Sequence, residues 1–417
     1  MKKVLIIVHG FPAEGGTRTE KIVKYLPQFG WEGIVLTNDR LDSNPFADEV
    51  LANASLRSMK FHPTKPLPDF AVLGKFNLNR MGSILNRLFF LPDITLTWLP
   101  HALIKARKII KTLKPKIIYS ISPLEGTHLT GHLLQKITHL PWVADFTDLW
   151  TLYQGRYKPL TGFHDMINTR LEKTFYLKSD AIIANTKLNK SIISQHFGIT
   201  PSKISVITNG FDPDEMFSAN CAHSSKRIVI GYFGAIEKPA FCYKAFIAAY
   251  EKAITEGAQF HLQYWGVVTD KLRNFVQQNS VLSSHITFNG YMPHKKCMQR
   301  LAEANALLLL LKNGYEYIVP QKLYHYLALK KPILAIVPPE GCAAEIVKRT
   351  NSGVVFSPDH VDQLSSRLLD FYKIWQQDSL KLDIKDEALS QYSYENLTGK
   401  LTTVFDSVLS GMSYFSQ

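Results

Sequence analysis

The sequence predicts an α/β protein built from two parallel-sheet domains, and three observations lead to this fold class. Short apolar runs alternate with helical patterns, beginning with residues 4–8 before a helix near 18–29. Such alternation is typical of β-α-β units, whose parallel strands are buried on both faces. The alternation restarts at residue 227, and 417 residues exceed one ordinary core. We therefore expect two domains of about 150–200 residues each.

The first domain is predicted to span residues 1–200. After VLIIV (4–8), its predicted strands are GIVLT (33–37), KIIYSI (116–121), WVADF (142–146) and DAIIAN (180–185), with a helix near 126–139. The predicted strand KISVIT (203–208) follows them at the junction between the domains. The Asn-Gly and Asp-Pro pairs of ITNGFDPDEMF (207–217) mark turns, so the junction should lie near 190–220.

The second domain is predicted to span residues 201–393, followed by a helix within 394–417. The predicted strands are RIVIGYFG (227–234), FHLQYWG (260–266), HITFNG (285–290), ALLLLL (306–311), PILAIV (332–337) and GVVF (353–356). Leu397, Leu401, Val404, Phe405 and Val408 form the apolar face of the last helix. We expect that helix to pack back on the first domain.

Composition restricts the class of partner without choosing one. The net charge of +13 and the pI of about 9.3 favour an anionic partner. No nucleic-acid-binding module is visible, so nucleic acid is not expected. Cys221, Cys242, Cys297 and Cys342 form no C-x-x-C pair, which indicates reduced thiols. The apolar core of the N-terminus, 4–8, is too short for a signal peptide, and no segment approaches the ~20 apolar residues of a membrane span. We expect a cytoplasmic protein, or one peripheral to the membrane.

The loop HGFPAEGGTRTE (9–20) follows the first strand. Gly15 and Gly16 would let the backbone approach a ligand, and Thr17-x-x-Glu20 is a capping box for the next helix. Ligands of open α/β sheets bind at the carboxyl ends of strands, where this loop lies. The alternative is an ordinary βα loop.

Two acids follow the strand WVADF. Asp145 and Asp148 could face a cleft, where they would bind sugar hydroxyls or act as acid or base. Alternatively, Asp148 caps a turn and Asp145 is a paired structural acid. His128, in EGTHLTGH, could point to the same cleft, or could be a capping or core histidine.

A lysine stands in the first turn of a predicted helix, IVPQKLYHYLALKKPIL (318–334). Pro320 suits the helix start, and Leu323, Tyr326 and Leu327 form a core face. Lys322 and His325 share another face. A cation there opposes the helix dipole, at a cost of about 0.3–1 kcal/mol, unless a phosphate binds the N-terminal N–H groups. The alternative is a lysine that extends into water.

Residues 75–116 hold nine basic residues against one acid, Asp93. Bulky apolar residues such as Phe89 and Trp98 are interleaved. This pattern suits an anionic membrane surface, or else a solvated helix face with ordinary core residues. The triplet Asp212-Pro-Asp214 is interpreted as a turn, and no metal site is predicted.

Several segments together resemble the retaining glycosyltransferases of GT-B architecture, the large bacterial family (glycosyltransferase family 4-like, group 1) that builds polysaccharides and lipid-linked glycans. They span nearly the whole chain and include FPAEGG, ISPLEGTHLTG, LPWVADFTDLW, ISVITNGFD and VPQKLYHYLALKKPILAIVPPEG. The resemblance implies two Rossmann-like domains facing across a cleft. It implies a nucleotide-sugar donor on the second domain, an acceptor on the first, and no metal or other cofactor.

The resemblance also implies roles for individual residues. Lys322 and Lys238 would contact the donor diphosphate, and Tyr291 and Met292 would lie beside the base. Asp145 and Asp148 would line the sugar end, and Gly15 and Gly16 would approach the donor. With His128, whose possible place at the same cleft comes from the sequence pattern alone, the two aspartates are the catalytic candidates.

Three positions depart from the family pattern. His325 stands where a glutamate often binds the donor ribose. Glu316, predicted to bind the donor, is followed eight residues later by Tyr324 and not by a second glutamate. Thr147 replaces a basic residue between the two aspartates.

The leading hypothesis is a hexosyltransferase that moves a sugar, with retention, onto a glycan or lipid-linked acceptor in cell-surface polysaccharide synthesis. The second is a degenerate, non-catalytic relative that binds a glycan or a partner enzyme. A nucleotide-sugar epimerase of related architecture is a third.

Overall fold

A computed structural model describes most of the chain as two compact units. It describes residues 1–11, 18–38, 60–64, 79–153, 157–215, 227–358, 360–377 and 384–411, with positions 60–64, 79 and 80 through their backbone only. Unit 1 comprises residues 1–209 and 394–417, and unit 2 comprises residues 210–393. Each unit is described by itself.

Unit 1 contains a seven-stranded parallel sheet. Its strands are β1 (Lys2–Ile7), β2 (Trp31–Asn38), β3 (Lys60–Thr64), β4 (Ile117–Ile121), β5 (Trp142–Phe146), β6 (Ala181–Ala184) and β7 (Ile204–Val206). Their order in the sheet is β3-β2-β1-β4-β5-β6-β7, and every pair is parallel. From β1 the chain adds β2 and β3 towards one edge of the sheet and then β4 to β7 towards the other edge. The strand order therefore reverses between β1 and β4.

Unit 2 repeats this topology with six strands. They are β8 (Ile228–Phe233), β9 (Phe260–Trp265), β10 (Ile286–Phe288), β11 (Ala306–Leu310), β12 (Ile333–Ile336) and β13 (Gly353–Phe356). The order is β10-β9-β8-β11-β12-β13, again parallel throughout, and it reverses between β8 and β11. Both sheets therefore have the Rossmann-like strand order.

Helices connect the strands and complete the layers. In chain order they are α1 (Arg18–Tyr25), α2 (Asn79–Phe89), α3 (Leu99–Leu113), α4 (Gly126–Thr138), α5 (Gly162–Lys178), α6 (Lys187–Phe197), α7 (Tyr243–Thr255), α8 (Asp270–Gln278), α9 (His294–Ala302), α10 (Gln321–Leu329), α11 (Cys342–Thr350), α12 (Val361–Gln376), α13 (Asp386–Ser390) and α14 (Tyr394–Ser410). Short 3-10 helices occupy Leu26–Phe29, Ile94–Thr97, Pro201–Lys203, Pro213–Glu215 and Leu282–Ser284. The predicted helix near 18–29 is thus α1 followed by a 3-10 turn, because Pro27 has no N–H to continue the α-helical ladder.

The C-terminal helix packs on the core of unit 1, as the sequence predicted. Leu397, Leu401, Val404 and Phe405 of α14 are buried among residues of the unit 1 sheet. The Phe405 ring lies edge-on to Trp31 of β2 at 5.2 Å and to Tyr119 of β4 at 5.3 Å. Burial of such aromatic side chains is a large apolar contribution, so α14 belongs to the first unit although it follows the second in sequence.

The predicted fold class, two Rossmann-like parallel-sheet domains, is confirmed by both topologies. The predicted strands at 142–146 and 353–356 coincide with β5 and β13. None of the helices in the described ranges is long and apolar enough to cross a bilayer. Cys242, Cys297 and Cys342 are buried thiols without a disulfide, while Cys221 lies outside the described residues.

Candidate functional site

The site in unit 2 forms where the strand order reverses, between β8 and β11. When the connections after two neighbouring parallel strands run in opposite directions, a crevice forms at the carboxyl ends of those strands. Ligands of such folds bind in this crevice. Strand β8 ends at Phe233, and residues 311–320 lead from β11 into α10. Lys322 is the second residue of α10, so the topology carries its side chain back to the end of β8.

The Lys322 side chain is held inside this crevice. It is only 9% exposed, and its Nζ donates to the carbonyl oxygen of Phe233 at 2.9 Å. The ammonium also lies 3.7 Å from the ring centroid of Tyr232 and 5.0 Å from that of Phe241. The alternative of a lysine that extends into water is therefore wrong. Among the described residues, one of its three N–H donors has a protein acceptor.

The electrostatic setting of Lys322 is unfavourable for its charge. Burial lowers the pKa of Lys322 well below its usual value, and the nearby charge of Lys238 lowers it further. A buried cation next to a second cation needs an anion for compensation. The side chain of Lys238 is exposed and that of Lys322 is buried, and the charges of the two lysines repel each other. Their contact with a donor diphosphate stays a prediction.

The N-terminus of α10 adds to the positive potential. Pro320 occupies the N-cap position and makes no side-chain capping bond, and the first turn contains no acid. The first N–H groups of a helix have no intrahelical acceptor and carry about half a positive charge. The helix end and Lys322 together form an arrangement that suits a phosphate.

Two histidines lie beside this lysine. The rings of His325 on α10 and His294 on α9 are 4.7 Å apart and edge-on. Both flank Phe233, at 5.8 and 6.3 Å between centroids. His325 therefore does lie at the carboxyl end of β8, with a second imidazole that the sequence did not single out.

The remaining predicted donor residues occupy loops at this end of the unit. Glu316 is half-buried in the loop before α10, and its Oε1 accepts from the N–H of Gly314 at 2.8 Å. Its backbone oxygen accepts from the N–H of Cys342, which begins α11. Tyr291 is 59% exposed and Met292 half-buried, just before His294 in sequence. The donor roles of these residues stay predictions.

Two glycines follow adjacent strands of the site. Gly234 has φ +84° and Gly266 has φ +154°, conformations that favour glycine. A Cβ on Gly266 would lie 2.7 Å from the Gly234 oxygen and 3.0 Å from the Tyr264 hydroxyl. That hydroxyl donates to the Gly234 oxygen at 2.8 Å. Both strands end in Tyr-aromatic-Gly, Tyr232-Phe233-Gly234 and Tyr264-Trp265-Gly266, a repeated signal that could have identified them.

The acids after β5 in unit 1 are less accessible than expected. Asp145 is fully buried, and its Oδ2 accepts from Arg18 Nε at 2.9 Å and from the Tyr119 hydroxyl. Its side chain therefore does not face a cleft, because it neutralises a buried arginine. Burial raises the pKa of Asp145 while Arg18 opposes that rise. A part for Asp145 in the reaction stays a prediction.

Arg18 has partners beyond Asp145. Its Nη2 donates to the backbone oxygen of Ile207 at 2.9 Å, and its Nη1 donates to that of Thr208. Burial alone would lower the pKa of Arg18, but the Asp145 carboxylate raises it above its usual value. Sequence reasoning missed Arg18 and Tyr119, since no local motif marks a partner 127 positions away.

His128 belongs to the core of unit 1. Its ring is fully buried, stacks 4.1 Å from Phe146, and places Nδ1 2.8 Å from Ser120 Oγ. The Trp142 indole N–H donates to the same Ser120 oxygen at 2.7 Å, which leaves the serine hydroxyl to donate to His128. Burial lowers the pKa of His128 to about 3. The expectation that it points to a cleft is wrong.

The other predicted site residues of unit 1 follow β5 or lie in the sequence after β1. Asp148 is half-buried, two residues after β5 ends. Thr147 donates from its hydroxyl to the Ser122 backbone oxygen at 3.0 Å. Gly15 and Gly16 lie outside the described residues. Where side chains are described, no three or more His, Cys, Asp or Glu gather around a possible metal position.

Comparison with known families identifies the first unit. Residues 15–215 match the family model described as Glycosyltransferase Family 4. This part of the chain, slightly under half of its length, is therefore similar to glycosyltransferase family 4. A search of curated proteins gives no match.

Solved structures share the GT-B fold of this chain. The Anabaena protein Alr3699/HepE, solved with UDP and glucose, is 14% identical, with a TM-score of 0.65 over 98% of this chain and 100% of that one. Sucrose-phosphate synthase from Thermosynechococcus elongatus is 11% identical, with a TM-score of 0.67 over 99% and 100%. The lipopolysaccharide outer core galactosyltransferase WaaB is 14% identical, with a TM-score of 0.64 over 97% and 99%.

Proposed function

We propose that this glycosyltransferase moves a hexose from a nucleotide-sugar donor bound on unit 2. The observation that carries the proposal is Lys322, a buried ammonium at the point where the strand order reverses, beside the N-terminus of α10. Its burial is unfavourable without an anion, and a diphosphate supplies two charged groups at the required place. The UDP bound by the HepE protein supports a nucleotide as the source of that diphosphate.

The chemical role of the site would be electrostatic. The leaving nucleotide diphosphate gains negative charge in the transition state, and Lys322, Lys238 and the α10 N-terminus are positive groups already in position. Because these cations meet the charge, we propose that transfer needs no metal, so it should persist in excess EDTA. His325 and His294 would contact the nucleoside beyond the diphosphate, where an imidazole can donate or accept a hydrogen bond.

The acceptor and the stereochemistry rest on family resemblance. We propose transfer with retention onto a glycan or lipid-linked acceptor in cell-surface polysaccharide synthesis, at the cytoplasmic face of the membrane. The described part of 75–116 supports a membrane-facing surface, since Arg107, Lys108 and Lys111 of α3 are exposed. Flotation with anionic liposomes tests this surface, and binding that does not weaken with salt would contradict it.

The donor site is tested by calorimetric titration with UDP, GDP and ADP. We expect one nucleotide to bind the wild type, and Lys322→Ala to bind it at least tenfold more weakly. Lys373→Ala is the matched control, because Lys373 is an exposed lysine on α12 of the same unit. Equal affinity in the Lys322 and Lys373 variants would reject the phosphate assignment.

A specific observation also favours the non-catalytic alternative. Two of the three catalytic candidates, Asp145 and His128, are fully buried in unit 1. A chain that binds nucleotide but transfers no sugar would fit that arrangement. Release of nucleotide from a bound nucleotide sugar, in the presence of lipid-linked acceptor extracts, separates the two functions. An NMR spectrum of the anomeric product proton then decides retention.

A further inference from the structure

One edge of the sheet in unit 1 borders a groove. The edge strand is β7, which is last in the strand order of the described sheet and pairs with β6 on one side. A cavity of about 690 Å³ is lined by β7 together with α6 and α14. Ile204 and Val206 of β7 and Val404 of α14 are among its lining residues, and every described lining residue belongs to unit 1.

The backbone of β7 has polar groups on the side away from β6. The Ile207 N–H donates to the Ala184 oxygen at the end of β6 at 3.0 Å. Successive residues of a strand direct their backbone groups to opposite sides, so the N–H and C=O of Val206 point away from β6. The Ile204 carbonyl points the same way, while the Ile204 N–H already donates to the Pro201 oxygen. A strand edge in this state is a template for another extended chain.

The side chains around this edge are basic. Lys187 and Lys190 of α6 and Lys400 of α14 line the groove, and no carboxylate lines it among the described residues. Neither Lys190 nor Lys400 forms an ion pair with any residue that the structure describes. The sequence shows the same imbalance, because residues 181–211 contain no aspartate or glutamate. Part of the net charge of +13 is thus concentrated beside the edge of the sheet.

These lysines restrict which chain could pair with β7. Lysine side chains beside an edge strand oppose the pairing of two copies, because like charges would meet across the new ladder. A strand that carries acidic side chains would gain opposite-charge pairs instead. Because β7 has only three residues, it offers few hydrogen bonds, and the charge pairs would have to supply part of the affinity.

We propose that the groove formed by α6, β7 and α14 binds an extended, acidic segment of a partner protein, which adds a strand to the sheet of unit 1. The backbone of that segment would bond to Val206 and to the Ile204 oxygen, and its carboxylates would lie near Lys190 and Lys400. In strand addition of this kind, main-chain hydrogen bonds give affinity and side-chain contacts give specificity. An acidic glycan would use the lysines but not the strand edge, so the edge favours the peptide.

The test follows the fluorescence anisotropy of a labelled acidic peptide, acetyl-Glu-Glu-Val-Glu-Glu-Val-Glu-Glu-amide, as the full chain is added. One comparison peptide has lysine in place of every glutamate. A second is N-methylated at every residue, which keeps its charge but removes its N–H donors. We expect the acidic peptide to bind about tenfold more tightly than either. Polygalacturonate, an acidic glycan, is the arm for the other class of polyanion.

Charge variants locate the binding site on the chain. Lys190→Glu/Lys400→Glu should weaken binding of the acidic peptide about tenfold or more, because each substitution replaces an attractive charge with a repulsive one. The matched control is Lys108→Glu/Lys173→Glu, which makes the same change of charge at exposed positions of α3 and α5 outside the groove lining. The control should bind the peptide like the wild type.

A backbone variant tests the added strand itself. Val206→Pro removes the N–H that points away from β6, and an edge strand tolerates proline at such a position. It should weaken binding about fivefold, the contribution of one hydrogen bond, whereas Val206→Thr keeps the N–H and should bind like the wild type. If the proline variant does not fold, the N-methylated peptide tests the same hydrogen bonds from the ligand side.

Four results would overturn the inference. Equal binding of the N-methylated peptide would indicate charge attraction without an added strand. Equal losses in Lys190→Glu/Lys400→Glu and Lys108→Glu/Lys173→Glu would place the peptide elsewhere. Binding of polygalacturonate that depends on Lys190 and Lys400, without binding of the acidic peptide, would assign the groove to a glycan. Finally, absence of any binding of the acidic peptide at low salt would reject the groove as a site for an acidic strand.

Discussion

Replacing Lys322 with methionine should raise the stability of unit 2 while it removes nucleotide binding. Methionine has a similar length and fills the same space beside Tyr232 and Phe241, but it brings no charge into a side-chain position that is 9% exposed. Exchange of buried charges for apolar groups of similar volume is often stabilising by about 1–4 kcal/mol. Here the hydrogen bond to the Phe233 oxygen and the cation–π contact are lost, so we expect a net gain of about 1–2 kcal/mol.

That gain converts to a measurable shift in melting temperature. Unit 2 spans residues 210–393. For a unit of about this size, 1 kcal/mol corresponds to roughly 2–4 °C, so Lys322→Met should melt about 2–8 °C higher in differential scanning calorimetry. Saturating nucleotide at a hundredfold excess over Kd should stabilise the wild type by about 2.7 kcal/mol and the variant not at all. Lys373→Met, at an exposed position, should change stability by less than about 0.5 kcal/mol.

The pH dependence gives an independent check on the same residue. Since burial lowers the pKa of Lys322 in the folded state, the unfolded chain binds the extra proton in the interval below its usual value of 10.5. Stability of the wild type therefore rises with pH in that interval, and the advantage of Lys322→Met should shrink as pH approaches 10.5. A variant that melts no higher than the wild type, or that is still stabilised by nucleotide, would refute this reasoning.

Three further outcomes follow from the other buried groups. Asp145→Ala should lower the free energy of unfolding by about 3–5 kcal/mol in urea titration, because it leaves Arg18 buried without its carboxylate. Asp148 is half-buried, so Asp148→Ala should lower the free energy of unfolding by less than half as much. Similar losses in the two variants would contradict the ion-pair assignment. Gly266→Ala should weaken nucleotide binding at least tenfold in calorimetry, because the added Cβ would displace the Gly234 carbonyl at the end of β8. Gly257→Ala is the control for backbone strain alone, because Gly257 also has a positive φ but has open space around its Cβ position. The wild type should lose up to about 5 kcal/mol of unfolding free energy between pH 6.5 and 3, because buried His128 cannot bind the proton that the unfolded chain takes up as pH falls. His128→Leu should not show this loss. Parallel curves of unfolding free energy against pH for the two proteins would count against the core assignment.

Most of the strands were predictable because each is a local pattern in the sequence, although β3 (Lys60–Thr64) was not predicted. Fully buried parallel strands such as β5 and β11 are short apolar runs, and the amphipathic face of α14 is visible at helical spacing. The placement of Lys322 in the first turn of α10 was also accessible, since Pro320 and the preceding apolar run mark the helix start.

The partners of the charged groups were not predictable in the same way. Asp145 looked like a cleft residue because it ends a strand, yet its environment is set by Arg18, which approaches from another element. His128 is likewise buried against Ser120 and Phe146, and this burial lowers its pKa. Local pattern identifies which residue types lie at strand ends, but burial and long-range pairing decide which of them remain available to a ligand.

The two units have related strand orders, but their buried cations have different partners. In unit 1, the buried arginine beside the end of β5 has a carboxylate at 2.9 Å and two backbone oxygens, so its charge is satisfied by the protein. In unit 2, Lys322 has one backbone oxygen and an aromatic ring, and its nearest charged influence is another lysine. A buried cation that the chain itself leaves without a carboxylate is costly, and a bound anion would lower that cost. This difference is the reason why we propose the end of β8 as the place where the donor phosphate binds.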